Sequence, residues 1–286
     1  MSLYRLDDPG DLVAPTLVAA FDGWVDSGNA ATTAAEHLAD NGPAIVTFDG
    51  DELFDYRSRR PTLDIVDGRL NELTWPDLTL RRAHHGERDV LVLTGAEPDY
   101  RWRAFSAAIV ELVDRLGVQE WISLGAIPAA VPHTRSVPIM GTESAPGLLR
   151  ADVRPGPRGV LRVPSAALSV LEMTLAQAGT PALGYFAQVP HYVSGPYPVA
   201  ALALLQSVGR HLGVDIPATE LVAEAQQLRT RLDLATGADE TTRAYVERLE
   251  SMVDEERLPE GDELISEIER FLRDRGAPGG QGTLPN

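Results

Sequence analysis

Strand and helix signals alternate along the chain and predict an α/β fold built on a largely parallel sheet. Three observations carry this reading. Short apolar runs recur at residues 16–21 (TLVAAF), 44–48 (AIVTF), 89–94 (DVLVLT), 121–124 and 182–187. Segments with apolar residues at helical spacing follow several of these runs and end on glycine. The tripeptide Val-Pro-His then follows two of the runs, as Val131-Pro132-His133 and Val189-Pro190-His191.

Taken in order, the first two runs flank an Ala-rich stretch at 29–39 that Asn41-Gly42 stops, which reads as a βαβ unit. The third run leads through Glu97-Pro98 into a helix. There Trp102, Phe105, Ile109, Leu112, Val113 and Leu116 share a face and Gly117 ends it. After the fourth run, 164–178 reads as a helix with Ala166, Val170, Met173 and Ala176 inward and Gly179 at its stop. The last core helix spans about 197–212 and ends at Gly213. Two segments break the rhythm. Residues 63–82 alternate around an Asp67-Gly68 turn signal, so an inserted β-hairpin is expected at about 62–85. Its apolar face suits either a neighbouring subunit or an edge of the same sheet. Past Pro217 the chain turns acidic and helical. Leu221, Ala225, Leu228 and Leu232 mark one amphipathic helix, and Tyr245, Leu249 and Met252 a second. Leu264, Ile265, Ile268, Phe271 and Leu272 mark a third. The expected organisation is an α/β core at 1–215, a helical subdomain at 216–275 and a disordered tail at 276–286.

Composition excludes several functions. The net charge of −17 argues against a phosphate-backbone binder, so no nucleic-acid partner is expected. It argues in the same direction against anionic membranes, and no apolar stretch is long enough to span a bilayer. The absence of cysteine removes disulfides, thiolate metal sites and Cys nucleophiles, and suits a cytoplasmic protein. All 25 basic residues are Arg, so Schiff-base chemistry and a P-loop lysine are excluded. The first thirty residues show no basic region followed by an apolar one, and no signal peptide is expected.

In an open parallel sheet, ligands bind beyond the carboxyl ends of the strands. Residues just past the strand signals are Asp22, Trp24 and Asp26, then Glu97 and Arg103. His133, Thr134, Arg135, His191 and Tyr192 follow the last two. A parallel sheet would turn them toward one crevice suited to a small anionic ligand. His133 or His191 would act as acid/base, Arg135 as anion clamp, and Asp22 or Glu97 as orienting groups. Bland readings stand beside these. The Pro-His pairs serve equally as rigid turns, Asp22, Asp26 and Glu97 as helix caps, Trp24 and Trp102 as packing, and His84-His85 as solvated residues. No HExxH or similar spacing supports a metal ion, and no cofactor is expected. GxGxxG, GxxxxGK[ST] and GxSxG are absent.

Five blocks occur in a set order: Phe21-Asp22-Gly23-Trp24 with Asp26 and Gly28, then Asp55-Tyr56-Arg57 with Arg60-Pro61. Gly95-Ala96-Glu97-Pro98 with Trp102-Arg103, Val131-Pro132-His133-Thr134-Arg135, and Val189-Pro190-His191-Tyr192 complete the set. Together, over residues 15–213, they resemble the proteasome assembly chaperone 2 family in its actinobacterial branch. The tail past Pro217 resembles the extra C-terminal region of bacterial members. The resemblance implies a three-layer α/β/α sandwich similar to the purine nucleoside phosphorylase/hydrolase type, without implying an activity. Some chaperone relatives dock on the proteasome through a hydrophobic-Tyr-X tail. Thr283-Leu284-Pro285-Asn286 lacks that motif, so docking by that route is not expected. Two functions follow as expectations. One is a homo-oligomer, trimer first, acting through protein contacts with a proteasome-related or other partner. The other is a hydrolase or phosphorylase-like enzyme on an anionic or nucleoside-like ligand. The C-terminal helices must bury their apolar faces over the crevice as a lid or against another subunit, with the lid favoured.

Overall fold

The computed structural model describes residues 3–157 and 159–256. Eleven strands form β1 (Tyr4–Leu6), β2 (Thr16–Asp22), β3 (Ala44–Phe48), β4 (Thr62–Val66), β5 (Arg69–Thr74), β6 (Leu78–His85), β7 (Arg88–Ala96), β8 (Glu120–Ala129), β9 (Ile139–Glu143), β10 (Arg154–Pro155) and β11 (Ala182–Pro190). Seven helices are α1 (Ala30–Ala39), α2 (Gly50–Leu53), α3 (Trp102–Leu116), α4 (Ala167–Gln177), α5 (Pro198–Leu212), α6 (Thr219–Ala238) and α7 (Glu240–Glu256).

Nine strands make one mixed sheet in the order β1-β3-β6-β7-β2-β8-β11-β9-β10. Its centre, β7-β2-β8-β11, is parallel throughout. Antiparallel pairs flank it at β1–β3, β3–β6, β6–β7 and β11–β9. The two-residue period of the strands sends alternate side chains to opposite layers. Leu17, Ala19 and Phe21 of β2 face the layer of α3 and α4, while Val18 and Ala20 face α1 and α5. The result is the three-layer α/β/α sandwich.

The structure differs from the sequence reading at four places. The run 78–82 belongs to the main sheet as β6, paired along its length with β7. The inserted hairpin therefore ends at Thr74, and only β4 and β5 form the separate two-stranded sheet. The βαβ crossover from β2 through α1 to β3 is real but spans two intervening strands. Helix α4 turns Leu168, Leu171 and Leu175 inward and exposes Met173, because the three leucines bury more apolar area than the Val170–Met173 face. His85 is buried, its Nε2 2.7 Å from the Leu38 carbonyl, while His84 stays exposed. The third amphipathic segment and the 276–286 tail lie outside the described residues.

Glycine at 28 is dictated by close approach. Its φ is +65°, and a Cβ there would come within 2.7 Å of the Tyr197 Cβ. The Gly28 carbonyl accepts the Tyr197 amide at 2.8 Å, tying the loop after β2 to the start of α5.

At the opposite end of the sheet, Glu120 accepts hydrogen bonds from Thr16 Oγ1 at 3.0 Å and lies 3.1 Å from His211 Nε2. The His211 bond holds its pKa below the usual 4.5, against the opposing effect of burial. A carboxylate with a lowered folded pKa stabilises above its unfolded value. That contribution is present above pH 4.5 and is lost as pH falls through the lowered folded value. Glu120→Gln is expected to flatten this part of the acid limb, read as Tm against pH between about 3 and 6.

Candidate functional site

The parallel strands deliver their carboxyl ends to one edge of the sheet, and the candidate residues gather there in two groups. The β8 and β11 half holds the histidines. Strand β11 pairs with β8 in register to the last step, Pro190 opposite Ala129. His191 is thereby placed directly at the strand end, where its amide and Nδ1 both lie 3.0 Å from the Ala129 carbonyl. With Nδ1–H donating to that carbonyl, Nε2 is left to accept from the Tyr245 hydroxyl at 3.0 Å. His133 is 1% exposed. Its backbone N–H donates to the Tyr192 hydroxyl at 2.8 Å, and its Nδ1 lies 2.8 Å from the same oxygen. The hydroxyl proton is then donated to Nδ1, which assigns the neutral ring its proton on Nε2. That nitrogen is 3.3 Å from Asp233 Oδ1 of α6, without the alignment of a hydrogen bond. Burial raises the pKa of the Tyr192 hydroxyl, against the lowering effect of the His133 amide.

The four rings of His133, Tyr192, His191 and Tyr245 pack edge to face, with centroids 5.7–6.2 Å apart. Beside them Arg135 binds Asp254 through Nε at 3.2 Å and Nη2 at 2.8 Å, and Glu250 through Nη1 at 3.1 Å. Thr134 Oγ1 also bonds Glu250. Helices α6 and α7 thus cover this half of the edge. Their buried apolar residues are few, Leu221, Ala225, Val246 and Leu249, so polar contacts carry much of the attachment. The hydrogen bonds to Asp254 raise the Arg135 pKa, with the charges of Glu250 and Asp254 adding to them and burial opposing them.

The β2 and β7 half is built differently. Asp26 is buried and accepts from the amides of Ala31 at 2.7 Å and Thr32 at 3.3 Å, and from the Thr32 hydroxyl. It caps the start of α1, and burial raises its pKa despite those bonds. Glu97 caps a helix too, but α4 in place of α3. Its Oε1 accepts the Ala167 amide at 2.7 Å while Oε2 takes the Trp24 amide at 3.2 Å. Asp22 pairs with Arg59. Trp24 is 67% exposed, and Arg103 is exposed on α3.

An open cleft of about 1060 Å³ runs from these strand ends along α1, lined among others by Asp22, Asp26, Arg59, Arg60, Trp75 and Arg81. His133, Thr134, Arg135, His191 and Tyr192 do not line it. The expected single crevice is therefore two features, because the C-terminal helices fill one half of the edge. Among the described residues no group of three or more His, Asp or Glu side chains could hold a metal ion. No described helix is long and apolar enough to cross a membrane.

Asp233, Tyr245, Glu250 and Asp254 complete the histidine group without any local signal. They lie 54 to 119 residues from the groups they meet, and only Tyr245 stood out, as an apolar helix position.

Fold and site define an α/β/α sandwich whose histidine-bearing strand ends are bonded to its own C-terminal helices. The chain belongs to the PAC2 family, whose family model matches residues 20–235. It is similar to a protein of unknown function from Corynebacterium glutamicum, with 33% identity over 90% of this chain and 98% of that one and a TM-score of 0.84. A Mycobacterium tuberculosis protein of unknown function shares 32% identity over 88% of this chain and 91% of that one, with a TM-score of 0.83. A proteasome-assembly chaperone homologue from Mycobacterium tuberculosis shares 35% identity over 81% of this chain and 99% of that one, with a TM-score of 0.74. No curated protein matches the chain.

Proposed function

We propose that the protein works through protein–protein contacts, as a cytoplasmic homo-oligomer with a trimer as the expected state. One observation carries this reading. Every residue of β4 and β5 is exposed, and the hairpin holds Ile65 at 61% and Leu70 at 74% exposure. A lone two-stranded hairpin is marginal in water, and an uncovered apolar face on it fits a protein contact. The engagement of Arg135 and His191 by α6 and α7 supports the same view, since every side-chain nitrogen of these two residues is bonded within the chain. In this reading the twin Val-Pro-His is a mount for the C-terminal helices.

Proteasome subunits are the first partner class to test, given the proteasome-assembly chaperone homologue among the relatives. Sedimentation of the native chain, alone and with those subunits, is the experiment. The expected result is a species near three times the 30.9 kDa chain mass that also binds the subunits. A 30.9 kDa monomer that binds nothing discards the proposal.

The open cleft favours a second reading, a hydrolase or phosphorylase-like enzyme on a small anionic or nucleoside-like ligand, with Arg59 and Arg60 as anion contacts. A screen in which no nucleoside or anionic metabolite binds, or in which Arg60→Ala leaves binding unchanged, removes it.

A further inference from the structure

Two exposed surfaces of this chain are complementary to each other. The first is the hairpin. Its register sets Leu63 opposite Leu73 and Ile65 opposite Leu70, with Asn71 as the extra residue of a bulge. The two-residue period puts these four side chains on one face. On the other face Asp64 stands directly opposite Glu72. Like charges so placed oppose pairing unless a cation lies beside them. Neither carboxylate forms an ion pair with a described residue, and neither edge of the hairpin is paired to another strand.

The second surface is the segment before α4. Residues 160–164 have no regular secondary structure and make no backbone hydrogen bond to described residues. Val160 is 97%, Leu161 61% and Val163 62% exposed. In a chain of net charge −17, residues 154–163 contain Arg154, Arg158 and Arg162 and no acid, whereas residues 62–74 carry Asp64, Asp67 and Glu72 against Arg69 alone. Neither surface belongs to the packed core on either side of the sheet.

We propose that residues 160–164 of one copy add as a third strand to the free edge of the β4–β5 hairpin of a second copy. The inference rests on the self-association reading above and names its contact. Strand addition satisfies three needs at once. It pairs the open backbone edge. It continues the apolar face of Leu63, Ile65, Leu70 and Leu73 with Leu161 and Val163, which share one side of an extended strand. It turns Arg162 to the opposite side, against Asp64 and Glu72, while Pro164 ends the pairing. Each copy uses its hairpin toward one neighbour and its segment toward the other, so the contact is heterologous, the type that forms a ring when the rotation between copies closes.

Sedimentation velocity of the full chain tests this with an exchange of charge. Arg162→Glu alone, and Asp64→Arg with Glu72→Arg alone, are each expected to weaken association about tenfold or more. The combination of all three is expected to restore it. Since the chain has no cysteine, an introduced pair gives a clean second readout that does not depend on charge. Leu63→Cys with Leu161→Cys reports addition at β4, and Leu73→Cys with Leu161→Cys addition at β5. One of the two pairs is expected to form disulfide-linked oligomers on mild oxidation. A native monomer overturns self-association and this contact together. A native oligomer that Arg162→Glu leaves intact, that the combined exchange fails to restore, or that neither cysteine pair cross-links overturns this contact alone.

Discussion

Ile65→Asp combined with Leu70→Asp is expected to convert the proposed oligomer to monomer while leaving the Tm of the fold almost unchanged. The two side chains face each other across β4 and β5 and are exposed in the single chain. Burying side chains of this size at a contact is worth about 1.5–3 kcal/mol each. Their loss, with two charges set on the same face, weakens association by roughly two to four orders of magnitude. Within the chain the cost is small, because the hairpin lies outside both core clusters. Surface changes away from packed features stay within about 0.5 kcal/mol. Sedimentation and thermal denaturation separate the two effects. A double variant that remains oligomeric shows that the hairpin is not the contact.

Tyr192→Phe is expected to destabilise the protein by about 2 kcal/mol, within the 1–3 kcal/mol cost of leaving a buried polar group unpaired. The hydroxyl serves both the backbone amide and the Nδ1 of His133, and no water reaches that residue in its place at 1% exposure. For a chain of this size the shift amounts to a Tm lower by about 4–8 °C. Tyr245→Phe is the control. Its hydroxyl meets the exposed His191, so the expected change is within about 0.5 kcal/mol. Equal shifts for the two variants would show that the His133 mount does not carry the strand ends.

Much of the central architecture was legible because short-range rules govern it. The apolar runs at 16–21, 89–94, 121–124 and 182–187 became the four parallel strands, and Gly117 and Gly213 end α3 and α5 in the left-handed conformation. The Asp67-Gly68 turn was equally readable, as both residues have positive φ. Strand partnership was not readable for 78–82. Alternation marks a strand but does not say whether β5 or β7 receives it.

The strand ends show the same division. Periodicity brought His133, Arg135 and His191 to one edge, since that placement follows from where β8 and β11 stop. What covers them depends on Asp233, Tyr245, Glu250 and Asp254, which two helices return from a distant part of the chain. An acidic amphipathic helix reads alike whether its charges face water or Arg135. Glu97 is a further case. Its place after β7 suggested a cap for the next helix, yet the fold brings α4 to it across 70 residues.

Amide hydrogen exchange of residues 62–74 in the native protein addresses the function most directly. If the hairpin is a protein contact, its amides exchange slowly, with protection approaching that of β2 and β8. Exchange at free-chain rates throughout 62–74 would contradict it, since two strands with both faces in water hold no lasting protection alone.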